Sequence, residues 1–257
     1  MLNFRNTNIA FIISIIIIAA LATRWHVPVY VYLLLAFVYS LLLFYGSYYV
    51  GSNFFMKVLC SAATPSRQIA ISFDDGPAQA HTAAILQVLA SYQVPAVFFC
   101  IGKNIAGNRA LLQQIAAEGH IIGNHSYSHH FWFDMFSAKR MMADLQQMSQ
   151  TVNNTIGVQP LLFRPPYGVT TPNMRTVMDK TGYKAIGWNI RSLDTVIKDE
   201  EKLLAKITGQ LQPGAIVLLH DTSATTLAIL PRLIEAARSK GYVFVRIDKL
   251  LNVQPYA

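Results

Sequence analysis

Gln68-Ile69-Ala70-Ile71-Ser72-Phe73-Asp74-Asp75-Gly76-Pro77 is the stretch on which the reading of this chain turns. Its first six residues are mostly apolar, as a strand buried in a sheet is. It stops on two adjacent carboxylates, and Gly76-Pro77 adds turn formers. A turn accounts for Asp, Gly and Pro together. Two carboxylates side by side, directly after a buried strand, fit a plain turn less well and a reactive site better.

Downstream, short apolar runs alternate with amphipathic ones. The expected strands are 68–73, 96–101, 121–124, 161–163, 185–189, 216–219 and 242–247. Helical patterns lie between them at 81–91, 109–118, 138–156, 172–181, 200–211 and 226–240. Gly119, Gly157, Gly182 and Gly241 stand where helices should stop. Seven strands interleaved with helices indicate an α/β architecture with a parallel sheet, barrel-like or open. In either form, reactive groups gather at the carboxyl ends of strands. Several fall there: Asp74 and Asp75 after the first strand, His125 and His129 after the third, and Arg164 and Tyr167 after the fourth. Asp194 follows the fifth, and His220-Asp221 the sixth.

Upstream, the composition changes. The chain has 257 residues, 53% of them hydrophobic and only 13% charged, against about 25% charged in ordinary soluble domains. No acid precedes Asp74, and only Arg5, Arg24, Lys57 and Arg67 carry charge before it. The remaining 17 basic residues face 13 acids. This divides the chain into a membrane-type leader (1–50), a linker (51–67) and a catalytic domain (68–257), the last long enough for one packed core.

Ile9 to Ala22 and Val29 to Val50 are uncharged apolar runs. The first, with Arg5 and Ala20-Leu21-Ala22, imitates a signal peptide. The second is long enough to cross a bilayer. Trp25, Tyr30 and Tyr32 at one end, and Tyr45, Tyr48 and Tyr49 at the other, match interfacial aromatic belts. The expectation is a transmembrane hairpin turning near Arg24-Trp25-His26, with the lipid bilayer as partner. Positive-charge counting places both tails in the cytoplasm by a charge or two. A cell-wall or exported glycan would require the opposite. The expected location is the cell membrane, multi-pass, with the domain facing the periplasm or exterior. The net charge of +8 is scattered among acids, so nucleic acid is not expected as a partner. Cys60 and Cys100 make no metal or redox motif.

His125 and His129 are four apart, so a helical segment would put both imidazoles on one face and let them share a metal. Asp75 supplies an anionic third ligand. Two His and one carboxylate leave a position open for water, as catalytic metal sites do. Asp74 beside them is then a candidate general base.

These segments resemble a known family. Ile71-Ser-Phe-Asp74-Asp75-Gly-Pro77, His125-Ser-Tyr-Ser-His129, Arg164-Pro-Pro-Tyr167 and Ile216-Val-Leu-Leu-His220 are similar, in order, to motifs of the polysaccharide deacetylases. This is the NodB-homology group, or carbohydrate esterase family 4. The likeness runs from about Gln68 to Asp248 and implies a distorted (β/α)7 barrel-like domain. It implies that Asp75, His125 and His129 bind a divalent metal, usually Zn2+, with Asp74 as general base paired to Arg164. It further implies the Tyr167 N–H as oxyanion donor, His220 as general acid, and Leu218 lining the pocket for the acetyl methyl. The fourth motif departs: Arg191 and Thr195 stand where the family has Asp and Trp, while Asp194, which supports the catalytic His, is present. An aromatic wall of the substrate groove is therefore missing; Trp188 reads as a core or barrel-mouth residue, with replacement of that wall as the alternative. The aromatic run Phe131-Trp132-Phe133 reads as loop packing, with sugar stacking or membrane contact as the alternative.

The implied activity is metal-dependent removal of N-acetyl groups from amino sugars of a glycan partner: peptidoglycan, a chitin-like polymer or an exopolysaccharide. Deacylation or deformylation of a lipid-linked sugar, and acetyl-ester hydrolysis, are alternatives in the same class. An inactive membrane-bound glycan-binding module is the alternative from another class.

Overall fold

The computed structural model describes residues 2–257. Two long helices open it, α1 (Phe4–Ala22) and α2 (Val29–Tyr48). At 1.5 Å per residue they measure about 28 and 30 Å, the thickness of a hydrocarbon core. Both are long and apolar enough to cross a membrane and are almost bare of packing. They form an antiparallel pair, held by stacking of Phe11 on Tyr39 at 4.1 Å and by the Tyr39 hydroxyl donating to Asn8 Oδ1 at 2.7 Å.

The remaining elements are β1 (Gln68–Asp74), α3 (Thr82–Ser91), β2 (Ala96–Cys100), α4 (Gly102–Ile105), α5 (Arg109–Ala117), β3 (Ile121–Asn124) and α6 (Ala138–Ile156). Then come β4 (Leu162–Phe163), α7 (Pro172–Thr181), β5 (Lys184–Ala185), β6 (Ile190–Arg191) and α8 (Glu200–Gly209). β7 (Ile216–His220), α9 (Ala224–Ser239), β8 (Val243–Phe244) and α10 (Ile247–Leu251) complete the chain. The parallel strands run in the order β5-β4-β3-β2-β1-β7-β6, and β8 pairs with the start of β1. The sheet is a curled, barrel-like wall of the NodB type whose end strands, β5 and β6, leave a seam.

Period-two alternation on β1 sets the layers. Ile69, Ile71 and Phe73 face the outer core with Ile85, Leu89 and Leu233 of the flanking helices. Ala70 faces the barrel interior with Val97, Phe99, Leu162 and Ile216. Ser72 and Asp74 share the Ala70 side, so the same strand that builds the core aims a carboxylate inward. Helix boundaries follow capping chemistry. Ser137 accepts from the Arg140 N–H at the start of α6, and Thr171 from the Met174 N–H ahead of Pro172 on α7. Gly157 and Gly182 close those helices at φ of 77° and 75°.

Three details differ from the sequence reading. The strand expected over 185–189 is cut short, and Ile190–Arg191 forms a separate edge strand on the far side of the seam. The last expected strand keeps two residues, and Ile247 begins a helix. Residues 51–67, read as a linker, are packed into the domain, with Phe54, Phe55, Met56 and Val58 buried. Leu59 bridges Ile186 and Ser61 bridges Ala215, so this segment straps the seam.

Candidate active site

Register brings the reactive groups together. On neighbouring strands Asp74 lies opposite His220, and Asn124 opposite Phe163. The residues that follow those strand ends, Asp75, His125 and Arg164, therefore reach one mouth. Asp75 takes a φ of 76°, and both carboxylates face the His125 ring, with Asp74 Oδ2 3.9 Å from its Nε2. Asp75 Oδ1 lies 3.5 Å from Nε2 of both His125 and His129. One ligand atom from each of the three residues falls within 4.8 Å of the others.

The histidine pair does not sit on a helix. Residues 125–129 form a loop with Ser126 and His129 at φ of 65° and 42°. The Ser126 hydroxyl accepts from the His129 N–H at 2.9 Å, and Asn124 Oδ1 from the Ser126 N–H at 2.9 Å. Asp144 of α6 accepts from the Tyr127 N–H at 2.6 Å. This loop, rather than helical spacing, brings the two rings together. His125 Nδ1 donates to the Arg164 carbonyl at 2.9 Å, which orients Nε2 toward Asp75 and would leave it to ligate a bound metal.

Asp74 and Arg164 form a pair inside the barrel, with Arg164 Nη1 2.7 Å from Asp74 Oδ1. Arg164 is fully buried, and every branch of its guanidinium is used. It donates to Asp74, to the Ser72 hydroxyl, and to the carbonyls of Ile186 and Gly187. Its plane lies over the Phe99 ring at 4.1 Å. Arg164 is thus no surface cation but a rigid brace for the Asp74 carboxylate.

His220 and Asp194 form the second pair. His220 Nδ1 lies 2.7 Å from Asp194 Oδ1, and the His220 N–H donates to Oδ2 at 2.7 Å. The hydroxyls of Ser192 and Thr226 also donate to Asp194. Burial works against the charged His220 ring, but Asp194 outweighs it and raises the imidazole to about 8. Burial pushes the Asp194 carboxyl up, and the bonds from His220 and Thr226 bring it below its ordinary value. Asp75 likewise is opposed by burial, yet its histidine neighbours hold it at about 2. Burial and the nearby His125 hold His129 down at about 4, in the neutral form that ligates metal.

Asp74, Asp75, His125, His129 and His220 line one pocket of about 230 Å³. Leu218 lies in its wall, and Tyr167, in left-handed backbone at φ 59°, stands at its rim. The Tyr167 ring meets that of His129 at 4.8 Å. Trp188, Arg191, Thr195 and Val196 also line the pocket. Of the run 131–133, only Phe133 packs inside; Phe131 and Trp132 are exposed, with Phe131 6.2 Å from the Tyr167 ring. Ser72, Ser192 and Thr226 were not singled out in the sequence. Period two on β1 puts Ser72 beside Asp74, but no local signal marks Thr226.

A carboxylate and two imidazoles converging on one point, a braced acid and a carboxylate-backed histidine define a hydrolytic α/β enzyme. The comparisons agree, and the chain belongs to the polysaccharide deacetylase family, hydrolases of carbon–nitrogen bonds. The family described as "Polysaccharide deacetylase" matches residues 61–186. The peptidoglycan-N-acetylmuramic acid deacetylase PdaA of Bacillus subtilis is 30% identical over 216 residues, covering 82% of this chain and 78% of that protein. The peptidoglycan-N-acetylglucosamine deacetylase PgdA of Listeria monocytogenes is 31% identical over 188 residues, 73% of this chain but only 40% of that longer protein. Among solved structures, the Bc1960 peptidoglycan N-acetylglucosamine deacetylase superposes with a TM-score of 0.74 at 25% identity, covering 78% of this chain and 95% of that one.

Proposed function

We propose that the protein is a metal-dependent N-deacetylase of amino sugars in a glycan, held at the cell membrane by its helical hairpin. The observation that carries this is the convergence of Asp75, His125 and His129 between the Asp74–Arg164 and His220–Asp194 pairs. The ligand chemistry fits a divalent ion, with one carboxylate and two imidazole nitrogens free to bind, and Zn2+ suits such a set. When bound, the ion would act as a Lewis acid on the amide carbonyl and make water a better nucleophile.

The chain's own groups supply the rest. Asp74, fixed by Arg164, takes the proton from the attacking water. The Tyr167 N–H faces the oxygen on which negative charge develops. Leu218 packs against the acetyl methyl. His220, protonated up to about pH 8 with Asp194 behind it, donates to the nitrogen as the carbon–nitrogen bond breaks. Acetate and a free amine leave.

Asp74→Asn and His220→Ala should each lower kcat at least ~100-fold on N-acetylglucosamine oligomers while bound metal is retained. Asp75→Ala should lose the metal itself, read by elemental analysis. Near-normal turnover in the first two variants would overturn the roles. The same division of the chain is proposed: 1–50 in the membrane, 51–67 joining, and 68–257 catalytic on the periplasmic or outer side. A reporter fused after Ala257 tests the side, and activity of only a cytoplasm-specific reporter would reverse it.

A further inference from the structure

The seam between β5 and β6 opens on its outer side into a second, much larger groove of about 1660 Å³. It takes no part in the chemistry above. One end lies at the base of the hairpin, where Tyr48, Tyr49 and Phe54 line it. At the seam it shares Trp188 and Arg191 with the active pocket. Arg5, Lys57, Lys184, Arg191 and Lys206 all line this groove, and none of them has an ion-pair partner among the described residues. The single acid in its wall, Asp179, is engaged by Arg175 at 3.6 Å. Arg5, Lys57, Lys184 and Arg191 are exposed and Lys206 half-buried, so together they give this concave surface a positive field that attracts anions.

The hairpin fixes where that anion comes from. The Phe4 N–H donates to the Phe54 carbonyl at 2.9 Å, and Thr170 donates to the carbonyls of Ser47 and Gly46 at 3.1 Å each. The hairpin base, the groove and the Tyr167 loop therefore form one rigid unit. The basic groove begins where the apolar helices end, which is the level of lipid phosphates if the helices span a bilayer. We infer that the groove holds the phosphate linkage of a lipid-anchored substrate, whose N-acetylated sugar passes Trp188 and Arg191 into the active pocket. This rests on the deacetylase reading above and gives its substrate class: an amino sugar joined through phosphate or diphosphate to a lipid.

Lys57→Glu/Lys184→Glu/Lys206→Glu tests it, since none of the three lines the active pocket. The metal-loaded full chain in detergent micelles is assayed on N-acetylglucosaminyl diphosphoryl polyprenol and on uncharged chitotetraose. The triple variant should raise KM at least about tenfold on the lipid diphosphate, with kcat held, and leave chitotetraose unchanged. Equal effects on both substrates, or none on the lipid diphosphate, overturn the inference. A wild-type chain active on chitotetraose but inert to the lipid diphosphate also overturns it and leaves the deacetylase reading standing. A chain inert to both sinks the deacetylase reading; direct binding of the lipid diphosphate, lost in the variant, then decides the groove separately. Equal binding of a lipid-free sugar diphosphate, or full competition by phosphatidylglycerol vesicles, would remove the lipid-anchored substrate from the groove.

Discussion

Asp194 has both carboxylate oxygens committed, Oδ1 to the His220 ring and Oδ2 to the His220 N–H and Thr226 hydroxyl. Such a carboxylate does two things to its partner. It fixes the imidazole tautomer by accepting from Nδ1, and it favours the charged ring, lifting it to about 8 against the opposing effect of burial. Asparagine removes the charge and offers one acceptor oxygen where Asp194 uses two. A general acid works only while protonated, so activity should fall as pH rises through about 8. In Asp194→Asn the alkaline limb of kcat/KM should move down, toward the ordinary histidine value of about 6.5. A limb that stays in place would show that another group sets it. The same pairing has a stability counterpart. The folded-state value lies above the unfolded one, so its stabilisation is complete below about pH 6.5 and is lost as pH rises through 8.

At the scale of elements, legibility follows the length of the repeating pattern. β1, β3, α6 and α7 were readable because alternation, helical period, Ser or Thr caps and glycine stops agree along their length. β5 and β6 were not, because each keeps only two residues and the break between them is imposed by the seam. The site residues at strand ends were readable for the same reason as the strands. The loop that brings His125 to His129 was not, since positive φ at Ser126 and His129 is set by hydrogen bonds to Asn124, Asp144 and Ser126 itself. The loop after β4 is built just as tightly. Gly168 takes a φ of 73°, and a Cβ there would lie 2.5 Å from the Trp188 ring. Gly168→Ala should therefore push the loop or the indole aside, at a cost of about 1–3 kcal/mol. Because Tyr167 moves with it, kcat should drop while metal content holds. Wild-type thermal stability and kcat together would show that the loop yields freely.

At the scale of the whole molecule, the base of the hairpin packs against the domain, while the rest of both helices is almost bare. Residues 51–67 read in the sequence as a linker. The contacts make it closer to a rigid mount: Gly46 lies against the Phe54 ring, and its carbonyl takes the Thr170 hydroxyl three residues past Tyr167. Only glycine permits that approach, since a Cβ at position 46 would fall 2.2 Å from the Phe54 ring. Gly46→Val should lever α2 away from the domain while leaving its length and apolarity intact. Membrane insertion should then be normal, while protease cleavage within 49–67 accelerates and kcat falls as the Tyr167 loop loses its support. Thr170→Val removes a single hydrogen bond from the same joint, worth about 1 kcal/mol, and should give a weaker version of the same result. If Gly46→Val kept both wild-type protection and turnover, this joint would contribute nothing to holding the Tyr167 loop.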